Sequence, residues 1–219
     1  NLECIAGEEE ARLGVLGVIN TIGLKDFIIF DLGGASTEVT LVKNRHIVKA
    51  VSLPIGALTL TGTYQKGDEY TPKELEKMTK AVKKTIKEHT WLQNIKLPLL
   101  GIGGTARNIA KIDQRKLSYP ITKLHNYELP YHRFHEILED VKGKSLEARK
   151  KISGLSSDRA DIIIAGLTIV DELFNYVNTK TLVVGGCGLR EGLFYDYYGE
   201  NYLGGNSIID DILVHSAEN

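Results

Sequence analysis

The richest chemistry for its length lies in Asp31, Gly33, Gly34, Ser36, Thr37 and Glu38, within the stretch FIIFDLGGASTEVTLV, Phe27 to Val42. A phosphate is held by several backbone N–H groups directed at one point. Glycines let the chain turn sharply and approach closely, so consecutive amides from Gly33 through Gly34, Ala35, Ser36 and Thr37 can form an anion-binding nest. Ser36 and Thr37 add hydroxyl donors. Asp31 and Glu38 would repel a phosphate by themselves. They fit beside one if a hard cation such as Mg²⁺ sits between them and the phosphate oxygens, or if one of them orients water. The pattern is not a Walker loop: no Gly-Lys-Ser/Thr is present, and the following segment reads as a strand. The plain alternative is a tight hairpin turn with polar decoration, which gives the two carboxylates and two hydroxyls no purpose.

Two further glycine runs follow. Gly101-Ile102-Gly103-Gly104-Thr105 lies between a strand and a helix expected to begin near Ala106. A nucleotide or phosphate suits a helix N-terminus there, and so does a close strand–helix junction with no ligand. Gly185-Gly186-Cys187-Gly188 leads into GLREG, where a junction and a site are equally open. His132 and His135 stand three apart without an evident third ligand, so they read as ordinary helix residues. Cys187 has no base nearby in sequence and reads as a small packing residue. Tyr195, Tyr197, Tyr198 and Tyr202 read as packing or interface residues.

The elements that must position these residues are legible from pattern. Gly7 with Glu8, Glu9 and Glu10 reads as a helix start, since acidic side chains favour the positive end of the helix dipole. Phe27–Leu32 reads as a buried strand. Glu38–Lys43 and Ile47–Leu53 alternate as strands with one exposed face, joined by a turn at Asn44, so an antiparallel meander is expected. TPKELEKMTKAVKKTIKEH is the clearest helix: Thr71 caps it, Pro72 takes its first position and Glu74 completes a capping box. Leu75, Met78, Val82 and Ile86 face the core. Its six lysines form either a solvated face or a polyanion-binding surface. Leu129–Lys142 and Ser145–Ile152 read as shorter helices, and DRADIIIAGLTIVDELFNYV as a long buried one. The expected fold is α/β, with a mixed sheet of about five strands in βββ-α-β-α-β order flanked by helices.

Composition sets the outer bounds. The chain has 219 residues, 42% hydrophobic and 25% charged, with a formal net charge of −1. No global field recruits DNA or an anionic membrane. The longest apolar run, Ile162 to Val170, is interrupted by Thr168, whereas a membrane span needs about 20 such residues. Two cysteines, Cys4 and Cys187, are too few for a disulfide framework, and a reducing cytoplasm is expected.

Together these stretches resemble the exopolyphosphatase and guanosine-pentaphosphatase family of the actin-like ATPase superfamily. GEEEARLGVLGV, FIIFDLGGASTEV, LLGIGGTARNIA, DRADIIIAGLTIVDEL and GLREGLFYDYY occur in that family's order and at about its spacing. The resemblance implies a ribonuclease-H-like second domain over residues 1–200, with residues 201–219 as a tail entering a further helical region and the family's first domain absent. It implies that DLGGAST is a phosphate loop and that GIGGTA stands where other members bind adenosine. It implies that Glu10, directly before Ala-Arg, activates or orients the attacking water, while Asp31 and Glu38 serve the Mg²⁺ and the water. Helix-dipole complementation is the alternative for Glu10. Ala35 stands where the family usually has a third glycine. The implied activity is hydrolysis of terminal phosphoanhydride bonds of polyphosphate or guanosine pentaphosphate, in a protein that is a homodimer at full length. An actin-like small-molecule kinase and a non-catalytic nucleotide-sensing module are the alternatives. Without the facing half of the cleft, the isolated chain is expected to fold but not to turn over substrate.

Overall fold

The computed structural model describes residues 7–209. Its strands are β1 (Phe27–Leu32), β2 (Thr37–Lys43), β3 (His46–Leu53), β4 (Leu99–Ile102), β5 (Tyr127–Pro130) and β6 (Thr181–Val184). Its α-helices are α1 (Gly7–Ile19), α2 (Ala57–Tyr64), α3 (Pro72–Lys87), α4 (Gly103–Lys116), α5 (Tyr131–Lys142), α6 (Leu146–Lys150), α7 (Ile163–Val177) and α8 (Leu189–Tyr202). The strands form one mixed sheet in the order β3-β2-β1-β4-β6-β5. β1, β4 and β6 run parallel, and β2, β3 and β5 are antiparallel to their neighbours.

The β1-β2-β3 meander forms as its sequence predicts. Its second turn passes through Asn44 and Arg45, both with positive φ, as a tight hairpin requires. β3 departs from expectation. Ile47 and Val48 are 42% and 57% exposed, so both faces of this edge strand are open rather than one. β2, by contrast, is buried along most of its length because β1 and β3 flank it.

The sheet holds six strands, one more than expected. The addition is β5, which takes Leu129 and Pro130 out of the predicted helix; α5 then starts at Tyr131. Pro130 closes an edge strand, where a missing ladder donor costs little. α2 has no sequence expectation behind it. α3 keeps its predicted capping box: the Thr71 backbone N–H donates to Glu74 Oε2 at 2.7 Å, and the Glu74 N–H donates to the Thr71 hydroxyl.

Alternation along β1 sorts the core into two layers. Ile28 and Phe30 face a large cluster built from α2 to α5 and α7, including Met78, Val82 and Ile86. Phe27 and Ile29 face a smaller cluster with Val15, Val18 and Ile19 of α1. Each fully buried side chain of this size contributes about 1.5–3 kcal/mol. By the same period of two, Asp31 lies on the α1 face. The predicted helical tail beyond residue 209 and Cys4 lie outside the described residues.

Candidate active site

Because β1, β4 and β6 are parallel, their C-terminal ends lie along one edge of the sheet. The three glycine runs, after Leu32, Ile102 and Val184, therefore emerge together. Open α/β sheets bind ligands at that edge. A cleft of about 990 Å³ opens there, lined among others by Glu10, Arg12, Asp31, Gly33, Ser36 and Glu38.

Asp31 and Glu38 are direct partners in the antiparallel β1–β2 ladder, so their side chains leave the same face side by side. Burial raises the Asp31 carboxyl above the ordinary aspartate value; Glu38 and then Glu10 push it further, with Arg107 opposing. Glu38 is held by its neighbours. Its Oε1 accepts hydrogen bonds from the Ser36 hydroxyl at 2.7 Å and the Ser52 hydroxyl at 2.8 Å. Ser52 was not singled out from sequence; its one signal is its place opposite Glu38 in the β2–β3 register. Arg107 was missed as well. Its Nε–H donates to the Gly103 carbonyl at 3.1 Å, which keeps the guanidinium beside Asp31.

Glu10 reaches the cleft because α1 is clamped between the sheet and α8. A Cβ on Gly192 would collide with the Leu13 carbonyl oxygen, and one on Gly17 with the Gly188 carbonyl oxygen. Gly17 and Gly192 thus let α8 lie backbone to backbone on α1, and the third glycine run stands at that junction through the Gly188 carbonyl, with Gly185 packed against Ile102. Arg12 fastens the same pair, bonding Glu9 at 2.7 Å and Asp196 at 2.9 Å. That bond separates the glutamates: Glu9 is occupied by Arg12, while Glu10 lines the cleft. The side chain of Glu8 lies outside what is described.

The loop after β1 is held from behind. The Gly33 N–H donates to the Ser36 carbonyl at 3.0 Å. The carbonyls of Gly33 and Gly34 accept from Ala57, Leu58 and Thr59 at the start of α2. With its carbonyls turned to α2, the loop has the N–H groups of Gly34, Ala35 and Ser36 without a bonded partner among the described residues. Ala35 takes no positive φ, so its Cβ is tolerated in place of glycine. Thr37 corrects the expectation of a second hydroxyl donor. It is fully buried and donates to the Ile55 carbonyl at 2.6 Å, which makes it a brace for the loop.

The second glycine run also differs from expectation. α4 begins at Gly103, not near Ala106, so the glycines form its first turn. Gly103 has φ +83°, and a Cβ there would stand 2.5 Å from Asp31 Oδ1. Gly104 lies against the Arg159 guanidinium, and Thr105 is buried against Gly166 of α7. The run thus supports Asp31 and packs helices, and the Thr105 side chain faces the core.

The donor set suits a hard divalent cation. Asp31 has carboxylate neighbours on two sides and is destabilised as an anion by burial. Among the described residues, no three His, Cys, Asp or Glu side chains are close enough to form a complete metal cage. Mg²⁺ characteristically takes one or two carboxylates and completes its shell with water and substrate phosphate oxygens, which Asp31 and Glu38 permit. Among the described residues no helix is long and apolar enough to cross a membrane.

The chain matches the model of the Ppx/GppA phosphatase family over residues 1–200. It is 29% identical over 190 residues to a bifunctional 3-dehydroquinate synthase/phosphatase of Fusobacterium nucleatum, covering 84% of this chain and 28% of that protein. It is 28% identical over 177 residues to exopolyphosphatase 2 of Mycobacterium tuberculosis, covering 78% of this chain and 54% of that one. The crystal structure of the Aquifex aeolicus Ppx/GppA family member superposes with a TM-score of 0.81 at 28% identity, over 91% of this chain and 65% of that chain. The chain thus spans about half or less of the length of these curated relatives. The superposition bears out the fold expected from the sequence. From Glu10 on α1 to the glycines of α8, every element that builds the cleft falls inside the family match, and the chain belongs to the Ppx/GppA phosphatase family.

Proposed function

We propose that this chain supplies the water-directing and phosphate-holding side of a hydrolase that removes terminal phosphate from inorganic polyphosphate or guanosine pentaphosphate. One observation carries the reading. Glu10 from α1, Asp31 from β1 and Glu38 from β2 line a single cleft together with Gly33 and Ser36 of the loop whose N–H groups at 34–36 have no bonded partner among the described residues. The family match and the name of the Mycobacterium tuberculosis relative support the substrate class.

Phosphoryl transfer to water needs positioning, charge neutralisation and a water-directing base more than covalent help. The terminal phosphoryl group sits on the N–H groups of Gly34, Ala35 and Ser36, which stabilise its equatorial oxygens. Glu10 accepts a hydrogen bond from the attacking water and takes its proton as the new P–O bond forms. The bridging P–O bond breaks and its electron pair leaves with the shortened chain. Asp31 and Glu38 would hold Mg²⁺, which when bound neutralises charge on the phosphate oxygens. Ser36 and Ser52 keep Glu38 aimed. The two-cysteine composition supports a cytoplasmic setting.

The test is phosphate release from long-chain polyphosphate and from guanosine pentaphosphate, with and without Mg²⁺, by the full product of the gene encoding this chain. Mg²⁺-dependent release from one of them is expected. No release from either, across metals, would overturn the reading.

A further inference from the structure

Five of the six lysines of α3 share one line. Lys73, Lys77, Lys80, Lys84 and Lys87 are spaced 4, 3, 4 and 3 residues apart, so they fall on one line along the helix. All five are exposed, and the line lies opposite Met78, Val82 and Ile86, which are buried. The fourteen residue steps from Lys73 to Lys87 give the line a length of about 21 Å. Among the described residues, Lys80 forms an ion pair with Glu76 at 2.5 Å, and Lys87 acts on the Glu172 carboxyl of α7 without a direct ion pair. The helix carries six lysines against two glutamates, an excess of four positive charges in a chain whose total is −1. A face that serves solubility alone mixes both signs evenly; on this face lysine predominates, with Glu76 paired to Lys80.

The line also lies away from the cleft. α3 packs on the face of β1 that carries Ile28 and Phe30, whereas Asp31 projects with Phe27 and Ile29 on the α1 face. Carboxylates gather at the cleft and the lysines of α3 on the opposite side of the sheet. A ligand that used both would have to be a long, flexible, linear anion.

We propose that the α3 lysine ridge is a docking site for the body of an inorganic polyphosphate chain, separate from the cleft that takes its end. This rests on the proposed phosphohydrolase reading for its choice of polymer. Charge complementarity is the argument: evenly spaced ammonium groups match a linear polyanion in any register, so the polymer can slide as it is shortened. Short phosphates and guanosine pentaphosphate would not span the ridge.

The experiment is binding of this chain to polyphosphate of about a hundred units, tripolyphosphate and single-stranded RNA of similar charge, in EDTA so that hydrolysis does not intervene. Lys77→Gln/Lys84→Gln/Lys87→Gln is compared with Lys25→Gln/Lys111→Gln/Lys151→Gln, an equal charge change on other exposed positions. We expect long polyphosphate to bind with a log–log salt slope of about −3.5, as five phosphate contacts on a flexible strand would give. The ridge variant should weaken this at least about tenfold and lower the slope by about 2; the control variant should keep both. Equal losses in the two variants, equal binding of RNA, or equal binding of tripolyphosphate would each overturn the proposal. The readout is binding, so failure of turnover would count against the hydrolase reading while leaving this result standing. Where turnover is present, the ridge variant should slow on long chains and keep its rate on tripolyphosphate.

Discussion

Asp31 and Glu38 face each other directly across the β1–β2 ladder, two carboxylates in adjacent positions on one face of the sheet. Like charges so placed destabilise a sheet. A structure that retains the pair, braces one member with two serine hydroxyls and seats the other against a glycine has a use for the concentrated charge.

That charge should be visible in stability. Asp31 has its carboxyl raised above the ordinary 3.8, first by burial and then by Glu38 and Glu10. The folded state therefore binds a proton at higher pH than the unfolded state, so stability falls as pH rises from 3.8 through the raised value. Asp31→Asn removes the penalty. In EDTA at neutral pH the variant should melt above the wild type, and the gap should close on acidification to about 3.8. A variant that melts lower at neutral pH would contradict this account. Turnover should fall by at least about 100-fold, since the proposed Mg²⁺ site would then lose a ligand.

Glu10 and Glu9 are neighbours with different duties. Glu10→Gln should lower turnover by about 100-fold to 10,000-fold, the range for a general base. Stability should change by under about 1 kcal/mol, because helix-terminal charge effects are small. Glu9→Gln loses a bond to Arg12 and should leave the rate nearly unchanged. Equal rate losses at the two positions, measured by steady-state kinetics, would return both to helix capping.

Gly103 is irreplaceable for two separate reasons, its φ of +83° and the 2.5 Å approach of Asp31 Oδ1 to an added Cβ. Gly103→Ala should cost about 1–3 kcal/mol from backbone strain alone and should lower activity by displacing Asp31. Gly62→Ala is the contrast. It lies inside α2 with nothing within 4 Å of an added Cβ, so it should gain about 0.5–1 kcal/mol. Denaturant midpoints of the two variants should move in opposite directions.

Thr37→Val separates bracing from binding. The buried Ile55 carbonyl would lose its 2.6 Å partner, at a cost of about 1–3 kcal/mol. Activity per folded molecule, assayed well below the melting temperature, should stay within about threefold, because that magnitude falls on folding rather than on the phosphate. A loss comparable to that of Asp31→Asn would restore the hydroxyl to the site.

Much of this protein is written in local sequence. The capping box at Thr71 and Glu74, the apolar period of α3, the buried run of β1 and the alternation around Asn44 each act within a few residues, so pattern reading finds them. Short or context-dependent elements escape it: β5 has four residues and α2 has eight. The candidate residues could be named too, Asp31 and Glu38 from their pattern and Glu10 through the family resemblance, and the three line one cleft. The wiring of the site was not legible. Side-chain direction depends on strand register and on helix rotation, which are settled by distant partners. The β1–β2 register sets Asp31 opposite Glu38, the β2–β3 register brings in Ser52, and the glycine contact of α1 with α8 turns Glu10 to the cleft and Glu9 to Arg12. The same packing buries Thr37, whose hydroxyl the sequence reading gave to a phosphate, and Thr105, in a glycine run whose sequence left a ligand open. Residue types set which chemistry was available; the non-local contacts of one sheet and two crossed helices decided which atoms could take part in it.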